Sequence, residues 1–302
     1  MEVTHRSNDG PTLIAGAGGV ELSALIRLPP GPSFRGLIVA LHGGGYSAGY
    51  WDCPIDGLSL LGLASELGWA AIALDRPGYG ASQTLAPERL GLAAQADIVF
   101  DVIESWCAEQ DYRGPVALIG HSVGGILALM MAAHSRSARL AAVDVLGVPF
   151  RYPASPDADA VHALEPTDGF VGGLDKAARR ALLFGPPGSF DEAVLNHDRL
   201  YGRPMPYPEL VHGLAAPAIW SDVLPRIALP VQISLAEHET IQVTGPELAA
   251  ELCQMLGGNP RARVRMQRGT GHNASLHQIA RAYHMNAIAF FEECLALHSG
   301  RS

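Results

Sequence analysis

Ser122 stands in Gly120-His121-Ser122-Val123-Gly124-Gly125, directly after the apolar run Val116-Ala-Leu-Ile119 and directly before a helical stretch, Ile126 to Ala133. A serine in a sharp strand-to-helix turn takes a strained backbone conformation that leaves its hydroxyl free at the edge of a sheet. The flanking glycines fit that geometry, because a Cβ there would strike the neighbouring strand or helix. The adjoining helix N-terminus favours negative charge developing on a reacting oxygen. A serine in that place can also act only as the helix cap, but the strand before it and the helix after it favour a nucleophile.

In this context the chain resembles the α/β-hydrolase fold family, in its serine esterase and lipase-like branch, and the resemblance runs from Gly36 to Leu297. It implies an eight-stranded, mostly parallel sheet with helices on both faces and an inserted cap after the sixth strand. His42-Gly43-Gly44-Gly45-Tyr46 is similar to the HGGG loop of family esterases. The resemblance therefore implies an oxyanion hole made by the N–H of Gly44 or Gly45 together with that of Val123; His42 supports the loop. Of the 12 histidines, His272 in Gly269-Thr-Gly-His-Asn follows the last strand candidate and precedes the terminal helix, where the family carries its base. His277 and His284 fall at helical positions and read as helix-surface or packing residues. For the acid, the family usually has an aspartate about three residues beyond a strand, and here Glu237-His238-Glu239 follows Val231 to Ala236. Glu239 occupies the matching position, Glu237 is the alternative, and Asp144, odd in the apolar run Ala141-Ala-Val-Asp-Val145, is a third candidate that is either paired or lines the site from below. Asp75-Arg76-Pro77-Gly78-Tyr79-Gly80 resembles a family turn and reads as structural: the aspartate and arginine satisfy loop backbone, and a substrate-binding role for Tyr79 is weaker.

The elements that must position these residues are legible as stacked βα units. Leu37 to Leu41, Ala70 to Leu74, Val116 to Ile119 and Ala141 to Val145 are continuous apolar runs, as central parallel strands covered on both faces require. Thr12 to Ala15 and Glu21 to Leu28, split by Gly16-Ala-Gly-Gly19, predict an antiparallel hairpin at the sheet edge. From Arg151 to Leu224 the alternation stops and Pro and Gly become dense (Pro153, Pro156, Gly172, Gly173, Pro204, Pro206), which predicts an inserted helical cap. The core thus comprises 1–150 and 225–302, resuming with the strand Val231 to Ala236, a helix from Pro246 to Leu256, a strand near Ala262 to Met266 and a last helix from about Ser275 to Leu297.

Composition narrows the chemistry. The 302 residues carry 48% hydrophobic content and a formal charge of −9, which disfavours nucleic acid and anionic headgroups as partners. Lys176 is the single lysine and no Gly-Lys-Ser/Thr occurs, which removes a P-loop. Cys53, Cys107, Cys253 and Cys294 are widely spaced, so four buried thiols are expected in place of a disulfide scaffold or zinc site. Neither an apolar segment of spanning length nor a targeting pattern is visible, and the reading is a soluble cytoplasmic protein without stable membrane insertion. Seven of the 20 aromatic residues lie between Arg151 and Leu224, slightly favouring a small-molecule substrate with an apolar part. Serine-based acyl transfer to water needs neither metal nor organic cofactor. The reaction expected is hydrolysis of a carboxylic ester, lactone or thioester. Other serine chemistries of the fold (C–C hydrolase, acyltransferase, lyase, perhydrolase) and a non-catalytic ligand-binding role are the competing readings.

Overall fold

The computed structural model describes residues 11–154, 166–172 and 175–299. Of the residues taken to mark the expected cap, Pro156 and Gly173 lie outside the described residues, as do Leu174 and the opening Met1 to Gly10. An eight-stranded sheet organises the molecule. Its strands are β1 (Thr12–Ala15), β2 (Glu21–Arg27), β3 (Leu37–Leu41), β4 (Ala70–Leu74), β5 (Val116–His121), β6 (Leu140–Leu146), β9 (Val231–Ala236) and β10 (Ala262–Gln267), in the order β1-β2-β4-β3-β5-β6-β9-β10. The expected edge hairpin is present, with β1 antiparallel to β2 and β2 antiparallel to β4; the remaining pairs are parallel.

Alternation along the central strands divides their side chains between two cores. Leu37, Val39 and Leu41, with Ile72 and Leu118, pack beneath α2 (Leu92–Glu109) and α3 (Val123–Ala132). On the opposite face the sheet offers mostly small residues (Ala40, Ala71, Ala73, Ala117, Ala142), and bulky ones fill the space against them: Trp51, Trp69, Tyr283, Phe290 and Phe291. These belong to and around α1 (Leu60–Glu66) and α9 (Ala280–Ser299). Large side chains opposing small ones let the helices approach the sheet at interior packing density.

Between β6 and β9 the chain forms α4 (Lys176–Leu183), α5 (Val194–Tyr201), α6 (Tyr207–Ala215), α7 (Trp220–Val223) and a two-stranded ribbon of β7 (Phe170–Val171) with β8 (Met205–Pro206). The helix α8 (Pro246–Met255) then precedes β10. No described helix is long and apolar enough to cross a membrane.

Two expectations need correction. The last helix begins at Ala280, because residues 274–276 form a single tight turn and His277 is extended (φ −103°, ψ 162°). Its buried ring stands in for helical hydrogen bonds: Nε2 accepts from Gly185 N at 2.9 Å and Gly271 N at 3.1 Å, and Nδ1 contacts Asn273 O at 2.8 Å. His277 is therefore a loop residue that packs, whereas His284 is a buried helical one, bonded through Nε2 to Ser275 Oγ at 2.9 Å. All four cysteines are free, but only Cys53 and Cys107 are buried; Cys294 is half-buried and Cys253 is exposed. Cys253 follows Leu252, which with Leu248 supplies the inward face of α8.

Candidate active site

Strand register brings the candidate residues to one edge. Leu41 pairs with Gly120, His121 with Leu146, Leu146 with Ser234, and Ala236 with Gln267, so β3, β5, β6, β9 and β10 end close together. The segments that follow carry the glycine loop, Ser122, Gly147, Glu239 and His272. Ligand sites of open α/β sheets lie at this carboxyl edge.

Ser122 occupies the turn between β5 and α3 with φ 52° and ψ −119°, a left-handed conformation that a side chain rarely adopts. Its N–H is held by Leu146 O at 2.9 Å and its carbonyl accepts from Gly125 N and Ile126 N. Gly124 is obligatory here: a Cβ on it would lie 2.3 Å from Leu41 O and 2.4 Å from His42 O. The side chain of Ser122 does not cap α3, as the helix-cap reading would require.

His272 Nδ1 lies 2.9 Å from Glu239 Oε2, with side chains 3% and 0% exposed. The other carboxylate oxygen of Glu239 accepts from Thr240 N and Ile241 N, both at 3.0 Å. Burial pushes this carboxyl up, but the imidazole and the two backbone N–H groups outweigh it and hold it below the usual carboxylate range. Glu237 is 44% exposed and turned elsewhere: its Oε2 accepts from Gly269 N at 2.8 Å, pinning the loop that leads to His272. Asp144 is the paired residue of the two readings considered, accepting from Gln232 Nε2 at 2.8 Å and Tyr283 Oη at 2.9 Å; burial raises it to about 6.

His121 links the nucleophile turn to the histidine loop. Its Nε2 lies 2.9 Å from His272 O, so the ring must carry its proton there. A Cβ on Gly147 would stand 3.0 Å from His272 Cε1 and 3.2 Å from His121 Nε2. Ser122 and His272 thus both border the Leu146–Gly147 turn, although their side chains are not hydrogen-bonded to each other.

Of the two glycines considered for the oxyanion hole, one is engaged elsewhere. Gly45 donates its N–H to Tyr79 Oη at 3.0 Å, so it is not free for a substrate oxygen. Gly44 N and Val123 N make no hydrogen bond among the described residues, and a Cβ on Gly44 would meet Val123 Cγ2 at 3.3 Å, so the two lie side by side. His42 does support the loop, with Nδ1 on Gly43 O at 2.8 Å and Nε2 accepting from Arg76 N at 3.1 Å. Burial first, then Arg76, keeps it well below the usual imidazole range and hence neutral.

Asp75 accepts from Ala48 N at 2.7 Å and Ser23 Oγ at 2.6 Å, the structural role expected of it. Arg76 also donates to His42 O at 2.7 Å. What the sequence does not reveal is the partner of Arg76, Glu209 on α6, 133 positions away, with both side chains fully buried. Among the described residues no group of three or more His, Cys, Asp or Glu side chains could hold a metal ion.

Comparison with known proteins agrees with this architecture. A monoacylglycerol lipase from Paleococcus ferrophilus superposes with a TM-score of 0.67 at 19% identity, covering 91% of this chain and 100% of that one. A soluble variant of monoglyceride lipase from Saccharomyces cerevisiae gives a TM-score of 0.68 at 13% identity, over 97% and 99% of the two chains. These are likenesses of fold. In sequence, the chain is similar to protein phosphatase methylesterase 1 of Mus musculus, 34% identical over 97 residues that span 32% of this chain and 23% of that protein. The corresponding protein of Pongo abelii is 29% identical over 140 residues, 46% of this chain and 33% of its own length. The match to these curated relatives thus covers a third of their length or less. The model of the alpha/beta hydrolase family matches residues 38–284, most of the sheet and the whole of the site, and the chain belongs to that family.

Proposed function

We propose that the protein is a serine hydrolase that cleaves an ester-type bond through an acyl-enzyme. The observation that carries this reading is the buried Glu239–His272 pair at the same sheet edge as Ser122, itself held in a strained turn at the start of α3. Glu239 fixes the His272 tautomer with its proton on Nδ1, which leaves Nε2 as an acceptor. When substrate seats, Nε2 takes the Ser122 proton, and Ser122 Oγ attacks the acyl carbon. The resulting oxyanion is met by the N–H groups of Gly44 and Val123. His272, now an imidazolium stabilised by Glu239, returns its proton to the leaving alcohol; water then repeats the sequence and frees the acid. A tetrahedral oxyanion between fixed N–H donors is stabilised most in the transition state, where one such donor is worth ~10²-fold or more.

The two curated relatives described above are named as methylesterases and the two structural neighbours as lipases, which supports a carboxylic ester over a lactone or thioester. The described residues of 151–224 serve in this reading as a cap over the site, and the aromatic content of the segment favours a small substrate with an apolar part. A panel of p-nitrophenyl esters, lactones and acyl thioesters, assayed with wild type and Ser122→Ala, tests this. Hydrolysis of at least one class, abolished in folded Ser122→Ala, is expected. Activity persisting in that variant, or no turnover of any class, would contradict it, the latter favouring a non-catalytic ligand-binding member.

A further inference from the structure

Glu209 is the feature of the molecule that the reaction above leaves unused. It is a fully buried carboxylate on α6, within the inserted segment, and both its oxygens are saturated. Oε2 accepts from Arg76 Nη1 at 2.6 Å and Gln95 Nε2 at 3.1 Å. Oε1 accepts from Arg76 Nη2 at 3.0 Å and Tyr79 Oη at 2.7 Å. Gln95 Oε1 in turn accepts from Arg76 Nη1 at 3.0 Å. A buried ion pair seldom adds much stability over well-packed apolar residues of the same volume, so its retention asks for another reason.

The hydrogen bonds supply one. Tyr79 Oη gives its only proton to Glu209, which leaves its lone pair to accept Gly45 N–H at 3.0 Å. Arg76, oriented by the same carboxylate, gives Nε–H to His42 O at 2.7 Å and its backbone N–H to His42 Nε2. The glycine loop is therefore gripped at both ends, His42 and Gly45, by two side chains that converge on Glu209. Between those grips lies Gly44. From the same inserted segment, Arg203 N donates to Gly45 O at 2.5 Å, so both backbone groups of Gly45 are committed.

We propose that Glu209 is a positioning residue for the reaction: through Tyr79 and Arg76 it locks the His42–Gly45 loop so that the Gly44 N–H faces the oxyanion, which makes α6 a fixed part of the catalytic unit. This rests on the serine-hydrolase reading. It requires that loosening the network affect the tetrahedral state and leave ground-state binding largely alone.

Tyr79→Phe is the cleanest probe. It keeps the ring edge-on to His42 (4.8 Å between centroids) and beneath the Arg76 guanidinium (5.2 Å), and removes only the hydroxyl that relays Glu209 to Gly45. With a p-nitrophenyl ester as substrate, kcat should fall ~10- to 100-fold with KM within about threefold, because the donor is misplaced without being deleted. Inhibition by an alkyl trifluoromethyl ketone, which forms a tetrahedral adduct, should weaken in the same proportion. The double variant Arg76→Met/Glu209→Met removes both charges together, so that neither is stranded, and should show the same kcat-specific loss with little further loss when Tyr79→Phe is added. Folded Tyr79→Phe with wild-type kcat, or a loss confined to KM, would overturn the proposal, and Tyr79→Phe decides alone if the double variant does not fold. Ser122→Ala in parallel separates the two levels: an active Ser122→Ala refutes the serine reading, whereas an inactive Ser122→Ala beside a fully active Tyr79→Phe refutes only the role of Glu209.

Discussion

Replacing Glu239 by glutamine alters one atom and should disable the base. The amide oxygen can keep the bonds from Thr240 N and Ile241 N, so the loop has no reason to move. On the side facing His272, an acceptor 2.9 Å from Nδ1 becomes an N–H donor. The imidazole then relieves the donor–donor clash by shifting its proton to Nε2, the atom that must take the serine proton. Charge is lost as well. A carboxylate and an imidazolium with centres about 4 Å apart attract by about 4 kcal/mol at an effective dielectric constant of 20, which is ~10³-fold in rate. With the tautomer penalty the expected fall in kcat is 10³- to ~10⁴-fold, the upper figure matching the cost of an Asp-to-Asn change in a serine protease triad. Steady-state hydrolysis of a p-nitrophenyl ester, with circular dichroism and thermal melting to verify the fold, measures it. A folded Glu239→Gln within about tenfold of wild type would refute the assignment, and a crippled Glu237→Gln beside it would transfer the role to Glu237.

Glu237→Gln should retain kcat within about threefold, since the amide oxygen can still accept from Gly269 N; a rate assay beside Glu239→Gln checks this. Stability should fall on acidification: burial lowers His277 to about 4 and His284 to about 3, so the unfolded chain binds protons between pH 6.5 and 4 that the native state refuses. At 1.36 kcal/mol per pH unit each group loses ~3 kcal/mol over that range. Asp144, raised to about 6, acts in the opposite sense and returns ~3 kcal/mol as pH drops from 6 to 4, so these three groups leave a loss of ~3–4 kcal/mol, which the buried, depressed His42 and His121 can only enlarge. Urea unfolding at pH 7 and pH 4 tests the sum, and a profile flat or rising toward acid would contradict it. Gly124→Ala should be poorly folded or inactive, because its methyl would stand 2.3 Å from Leu41 O; wild-type melting and activity in that variant would contradict a tight contact between the Ser122 turn and β3.

Local signals carried most of the fold. Continuous apolar runs such as Leu37 to Leu41 need no distant partner to be recognised as central strands, and they occur as such. The glycines around Ser122 likewise announce a turn whose sterics are local. The start of α9 differs from the sequence expectation because the cause is not local: His277 has helical spacing, yet its ring satisfies N–H groups of Gly185 and Gly271, and only the folded chain brings these together. Choosing between Glu237 and Glu239 was equally a matter of which carboxylate turns inward, a loop property that two residues of spacing do not determine. Glu209 was illegible for the strongest reason, since its partners Arg76, Tyr79 and Gln95 lie over a hundred positions away. A glutamate near the start of a helix otherwise looks like an ordinary exposed one favoured by the helix dipole.

Active-site labelling with a fluorophosphonate reads the central claim directly. The reagent phosphonylates a serine only where a base removes the proton and donors receive the oxyanion. Incubation of the wild-type protein, followed by intact mass and peptide mapping, should show one adduct per chain located on Ser122. The adduct should be absent in Ser122→Ala and should form far more slowly in Glu239→Gln. A protein that stays unlabelled, or an adduct on another serine that persists in folded Ser122→Ala, would contradict the account.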